Sequence, residues 1–166
     1  MRVIGIDPGY ATTGYGVVER RASGLRVLAL GALRTPAELT AAERLADLRR
    51  QLMGLLDVYR PEVLAIERVF FNANVRTAMR VGQAAGVVLA TAAENGLDVA
   101  DYTPSAVKQA VAGVGNAPKP QVQKMVAALL GLAETPRPPD AADACALAIC
   151  HLSRRGLDGA LRRALT

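Results

Sequence analysis

Residues 2–33 carry three β-rich segments with almost no chain between them, and this spacing constrains the sheet before any helix is placed. RVIGID (2–7) is apolar and runs into the turn signal Asp7-Pro8-Gly9; TGYGVVER (13–20) and LRVLALGAL (25–33) follow, joined by Ala22-Ser23-Gly24. Strands joined by such short turns pair antiparallel, so a three-stranded meander is expected. The pattern then changes period. Leu45, Leu48, Leu52, Leu55, Leu56 and Tyr59 recur at three and four, predicting a helix over 39–59 that Pro61 stops. EVLAIE (62–67) predicts a short buried strand ending in Glu67, and residues 68–74 a loop. A second helix is expected over 75–94, closed by Asn95-Gly96, then a strand over 97–102. Helices follow over 105–112, 121–131 and from about Asp140 to Arg154, with a glycine and proline loop at 113–120. The order βββ-α-β-α-β-α-α-α predicts an α/β fold, a mixed five-stranded sheet flanked by helices. No internal repeat interrupts it. Residues 1–155 read as one domain, and 156–166 as a basic C-terminal tail without strong patterning.

Composition narrows the class. Hydrophobic residues make up 51% and charged residues 21% of the 166, which excludes a disordered or collagen-like chain. Two cysteines, Cys145 and Cys150 in one apolar segment, read as reduced core residues rather than a disulfide scaffold. The longest apolar stretch, 81–93, is bracketed by Arg80 and Glu94 and falls short of the ~20 residues a membrane span needs. A carboxylate at position 7 precedes any signal-peptide core, so a cytoplasmic location is the expectation. The net charge of +5 suits a polyanionic partner. All the lysines (Lys108, Lys119, Lys124) fall in one window, and Arg154, Arg155, Arg162 and Arg163 crowd the tail.

Four acids carry the chemistry. Asp7 ends the first strand and Glu67 a later one. Asp140 and Asp143 open the last helix at i, i+3 and share a face. Taken singly, each has a plain alternative: Asp7 as turn chemistry, Glu67 as a solvated strand end, Asp140 as an N-cap with Asp143 favoured by the helix dipole. Together, strand ends and a helix N-terminus converging at one sheet edge would crowd carboxylates that cannot all stay ionised without cations. An all-oxygen cluster selects Mg²⁺ or Mn²⁺, the ions that phosphodiester hydrolysis uses, two per site in many nucleases. His151, the sole histidine, reads as an ordinary helix-end residue more readily than as a ligand or base.

GIDPGYATTGYGVV (5–18), AIERVFFNAN (65–74), GQAAGV (82–87), VKQAVAGVGNAPKPQVQKMV (107–126) and DAADACALAI (140–149) occur in this order. The set resembles the RuvC family of Holliday-junction resolvases over nearly the whole chain. The resemblance implies an RNase H-like fold and a homodimeric, metal-dependent endodeoxyribonuclease. Such an enzyme nicks two opposed strands of a four-way DNA junction in recombination and repair. It places catalytic and metal-binding roles on Asp7, Glu67, Asp140 and Asp143, an unpaired-base contact on Phe70, and phosphate contacts on Lys108 and Lys119. It also implies RuvA and RuvB as partners. The chain departs where the family often carries a lysine before its asparagine: Ala73 stands before Asn74. Pro118 and Pro120 flank Lys119, which should stiffen that loop. The small residues Gly82, Gly86 and Ala90, every four residues on the second helix, suit packing on the sheet or a twofold interface. The rivals are an RNase H-like nuclease acting on ribosomal RNA precursors, an ATP-binding domain of the actin and sugar-kinase type, and a non-catalytic DNA-binding module.

Overall fold

A computed structural model describes residues 1–68 and 75–164, without the side chains of 157–164. Five strands form one sheet in the order β3-β2-β1-β4-β5: β1 (Arg2–Asp7), β2 (Thr12–Arg21), β3 (Gly24–Arg34), β4 (Val63–Glu67) and β5 (Asp98–Tyr102). β1 to β3 form the expected antiparallel meander, and β4 and β5 add in parallel on the other side of β1. Strand β1 is therefore central and covered on both faces, which explains its nearly continuous apolar run. Val3, Ile4 and Ile6 are fully buried.

Strand alternation sorts the helices onto two faces. Ile4, Ile6, Val17, Leu64 and Ile66 pack against α1 (Ala41–Tyr59) and α2 (Val75–Glu94). Val3, Val18, Val63 and Ala65 face α3 (Pro104–Ala112), α4 (Lys119–Leu130) and α5 (Pro139–Ala164). A capping box starts α1: the Thr40 hydroxyl accepts from the Glu43 N–H, and the Glu43 carboxylate accepts from the Thr40 N–H. Arg60 in the left-handed region ends it just before Pro61. The buried stripe Leu48, Leu52, Leu56 is the one the spacing predicts.

Two helices differ from expectation. α4 begins at Lys119, because Pro118 at the N-cap and Pro120 in the first turn lack only N–H groups that a helix start leaves unpaired. α5 continues past Arg154 to Ala164. The tail holds leucine, alanine and arginine, strong helix formers that outweigh Gly156 and Gly159.

α5 is the core of its face. From Ala141 to Leu152 every residue is buried except Asp143. It lies against β1 and β2 closer than ordinary side chains permit. A Cβ on Gly5 would stand 1.9 Å from the Ala144 carbonyl oxygen, and one on Gly14 would stand 2.1 Å from the Asp140 carbonyl oxygen. Gly5 pairs with Gly16, and Gly14 pairs with Asp7. These glycines form a track that seats the helix backbone on the sheet. Cys145 and Cys150 are free and buried as expected, and burial pushes the Cys145 thiol up to about 12.

Candidate metal centre

The register brings the first two acids together. β1 and β4 pair in parallel from Val3 with Val63 to Ile6 with Ile66. The next residues along are Asp7 and Glu67, at the same level on adjacent strands. Alternation points both to the α5 face, since Ile6 and Ile66 face the other way. The glycine track then fixes the second pair. With Gly14 opposite Asp7 and against the Asp140 backbone, the first turn of α5 lies directly over the end of β1.

Asp7, Asp140 and Asp143 each offer a carboxylate oxygen, and these atoms lie within 4.8 Å of one another. Glu67 stands outside this trio. It shares with Asp7 and Asp143 a cleft of about 270 Å³, whose walls include Lys108, Lys119, Pro104 and Val107. All four predicted acids thus meet at one sheet edge. Lys119 donates to the Asp143 carboxylate at 2.6 Å.

The electrostatics of the cleft are those of crowded negative charge. Burial, then Asp143, Glu67 and Asp140, push the Asp7 carboxyl from 3.8 up to about 7, with Lys119 opposing. Burial and then Asp143 raise Glu67, while Lys119 and Lys108 hold it down. The hydrogen bond to Asp143 raises Lys119. Two lysines do not balance four carboxylates. An oxygen-only donor set with uncompensated charge fits a hard divalent cation.

The other predicted residues divide. Lys108, on the second turn of α3, lines the cleft, and Lys119 stands on its rim as the first residue of α4 rather than inside a loop. Phe70 lies outside the described residues. His151 is no ligand of the trio: its Nδ1 and the Tyr102 hydroxyl are 2.8 Å apart, with the rings edge to face. Arg154 stacks on that tyrosine. Sequence reading missed the part played by the glycine track. Its signal was present in Gly14-x-Gly16, alternate glycines that clear one face of β2, and in Gly5, the single glycine of β1.

Comparison with known proteins agrees with this geometry. The family model for crossover junction endodeoxyribonuclease RuvC matches residues 3–151. The crossover junction endodeoxyribonuclease RuvC of Moorella thermoacetica is 55% identical over 153 residues, 92% of each chain. The Thermus thermophilus RuvC structure superposes with a TM-score of 0.88 at 39% identity, covering 95% of this chain and 97% of that one. T. thermophilus RuvC in complex with Holliday junction substrate gives 0.86 at 37% identity, covering 95% and 96%. With its RNase H-like sheet and an acidic cluster able to hold a metal ion, the chain belongs to the RuvC family of crossover junction endodeoxyribonucleases.

Proposed function

We propose that the chain resolves four-way DNA junctions by paired symmetric nicks in recombination and repair, as a structure-selective, metal-dependent endodeoxyribonuclease. The observation that carries this reading is the meeting of Asp7, Asp140 and Asp143 within 4.8 Å, beside Glu67 in one cleft. These four carboxylates would hold Mg²⁺ or Mn²⁺, two ions per site. Bound there, such ions lower the pKa of a coordinated water and neutralise charge on the leaving oxygen. The overall reaction is hydrolysis: water adds to phosphorus, the bond to O3′ breaks, and the products are a 5′-phosphate and a 3′-hydroxyl.

The chain's own residues do the rest. Asp7, set in a sheet strand and half-buried, would provide the rigid ligand. Asp140 and Asp143 come from one helix turn whose backbone the glycine track holds against the sheet. Lys119 and Lys108, on the cleft wall, offer ammonium groups to phosphates of the strand being cut. Phe70 would stack on a base at the junction centre, where bases unstack most cheaply. Choice of substrate would rest on junction shape and deformability.

Mobile four-way junctions should be nicked symmetrically with Mg²⁺ or Mn²⁺, and EDTA should abolish nicking. Cation affinity should fall below pH 7, because Asp7 then takes up a proton that must leave on binding. Cleavage of structured ribosomal RNA precursors but not of junctions would reverse the reading. So would cleavage indifferent to EDTA.

Paired nicks need paired sites, and we propose a homodimer built on α2. The residues it turns to the sheet are Ala84, Ala85, Val88, Thr91 and Ala92. The stripe Gly82, Gly86 and Ala90 faces outward, flanked by Met79 and Leu89, which are 59% and 40% exposed. Small residues edged by apolar ones let two copies approach closely about a dyad. Sedimentation should give twice the 17.4 kDa chain mass. Leu89→Glu should yield monomers that bind junctions more weakly and lose paired nicking. A wild-type monomer at working concentration removes the dimer. Family membership supports RuvA and RuvB as partners, and the DNA substrate supports action in the cytoplasm. No helix of the described residues is long and apolar enough to cross a membrane.

A further inference from the structure

The acids and lysines above leave one charged feature of the catalytic edge unused. Tyr10 follows Asp7 in the loop after β1. Two guanidinium groups lie over its ring: that of Arg44 from α1, 4.4 Å from the centroid, and that of Arg80 from α2, 4.8 Å away. Arg44 is fixed in place. Its Nε donates to the Thr35 hydroxyl at 3.0 Å and its Nη2 to the Thr35 carbonyl at 3.4 Å, while the Thr35 hydroxyl donates to the Tyr10 carbonyl at 3.3 Å. Arg80 is exposed. Among the described residues, no ion pair joins either arginine to a carboxylate.

Two like charges over one ring repel each other, and the ring face attracts each only modestly. Among the described residues, no carboxylate compensates either charge. The arrangement does have a direction. It sits at the C-terminal end of β1, the end that carries Asp7, but on the α1–α2 side of the sheet. Lys108 and Lys119 stand on the α3–α4 side. A polyanion laid across the acids would meet cations on both flanks. Guanidinium groups also match phosphate geometry better than ammonium groups do.

We propose that Arg44 and Arg80, held by the Tyr10 ring, form a second grip on the phosphodiester backbone of the substrate, across the metal centre from Lys108 and Lys119. The proposal rests on the nuclease reading and adds to it a second binding locus. Because the ring belongs to the loop that follows Asp7, a strand held there would be registered against the metal ligand itself.

The test is equilibrium binding of wild type and variants to a four-way junction in EDTA over a series of NaCl concentrations, with Mg²⁺-dependent nicking measured alongside. Arg80→Gln should weaken binding several-fold and lower the slope of log K against log salt by about 0.9, the value of one released phosphate contact. Tyr10→Ala, which frees both arginines, should lose more, and Tyr10→Phe should match wild type. If Tyr10→Ala does not fold, the exposed Arg80→Gln decides alone. Unchanged affinity and slope in Arg80→Gln, beside a wild type that binds and nicks, overturn the grip and leave the nuclease reading standing. A changed melting temperature with an unchanged slope makes the stack a structural staple and likewise overturns it. A wild type that neither binds nor nicks junctions defeats the nuclease reading and takes this inference with it.

Discussion

Asp7→Asn will give a protein that binds a four-way junction and does not nick it. Asparagine keeps the shape and one oxygen of the side chain but removes the charge that would hold a cation at the centre of the trio. Metal-assisted charge stabilisation is worth several kcal/mol, so the rate of nicking should fall by roughly a thousandfold or more. The same change should make the chain more heat-stable in metal-free buffer. Asp7 has a folded-state value of about 7 against 3.8 for the free group. A carboxyl raised in this way binds its proton more tightly when folded, so it costs nothing below pH 3.8. Its ionisation then weakens the fold progressively as pH rises towards 7. The cost is on the order of 4 kcal/mol at its largest, and asparagine relieves part of it. At about 2–4 °C per kcal/mol, melting at pH 8 in EDTA should rise by several degrees, with the gain disappearing in strong acid. Junction nicking at wild-type rate by Asp7→Asn would remove Asp7 from the centre of the mechanism. A lower melting temperature would contradict the electrostatic account.

Gly5→Ala should be the most damaging single methyl in the molecule. The added carbon would stand 1.9 Å from the Ala144 carbonyl oxygen and 3.0 Å from the Ala148 nitrogen, both backbone atoms of a buried helix. No rotamer relieves such a clash, so α5 must lift from the sheet. Overpacking of a tight core costs about 1–3 kcal/mol and occasionally more. The top of that range corresponds to a melting point lower by roughly 10 °C. Lifting α5 also carries Asp140 and Asp143 away from Asp7, so cation affinity should fall with stability. Gly54→Ala is the control. Gly54 is exposed on α1 with nothing within 4 Å of an added carbon, and alanine there should stabilise by up to about 1 kcal/mol. Thermal melts of the two variants, moving in opposite directions, check both claims. A Gly5→Ala protein as stable as wild type would refute the close seating of α5.

Much of the fold and of the site is legible in the amino-acid sequence. The meander follows from turn spacing, and the parallel addition of β4 from the helix that precedes it. Asp7 and Glu67 were readable because each ends a buried strand, and strands of one parallel pair end together. Asp140 and Asp143 were readable as a helix face. The less legible parts depend on space rather than sequence period. Gly5 and Gly14 look like loosened strand positions, and only the helix backbone above them shows that a Cβ has no room. In α2 the outward stripe and the sheet-facing stripe are both built of small apolar residues. Period alone therefore marked a helix without saying which side met the sheet. The start of α4 was obscured because two prolines suggest a loop, although both stand where a helix tolerates them. The stacking of two arginines on Tyr10 joins three elements distant in sequence, and no local pattern announces it.

The four carboxylates enter the chain at widely separated points, and the last two arrive with α5, the last helix of the described residues. A partly synthesised chain holds Asp7 and Glu67 but lacks both aspartates of α5 and the helix that completes one face of the sheet. Synthesised only as far as α4, the chain has two of the four acids and no helix turn seated on the glycine track, so the metal centre we propose forms only once α5 has docked. Local unfolding of α5 would reverse the same step and take the proposed centre apart while the rest of the sheet still stands.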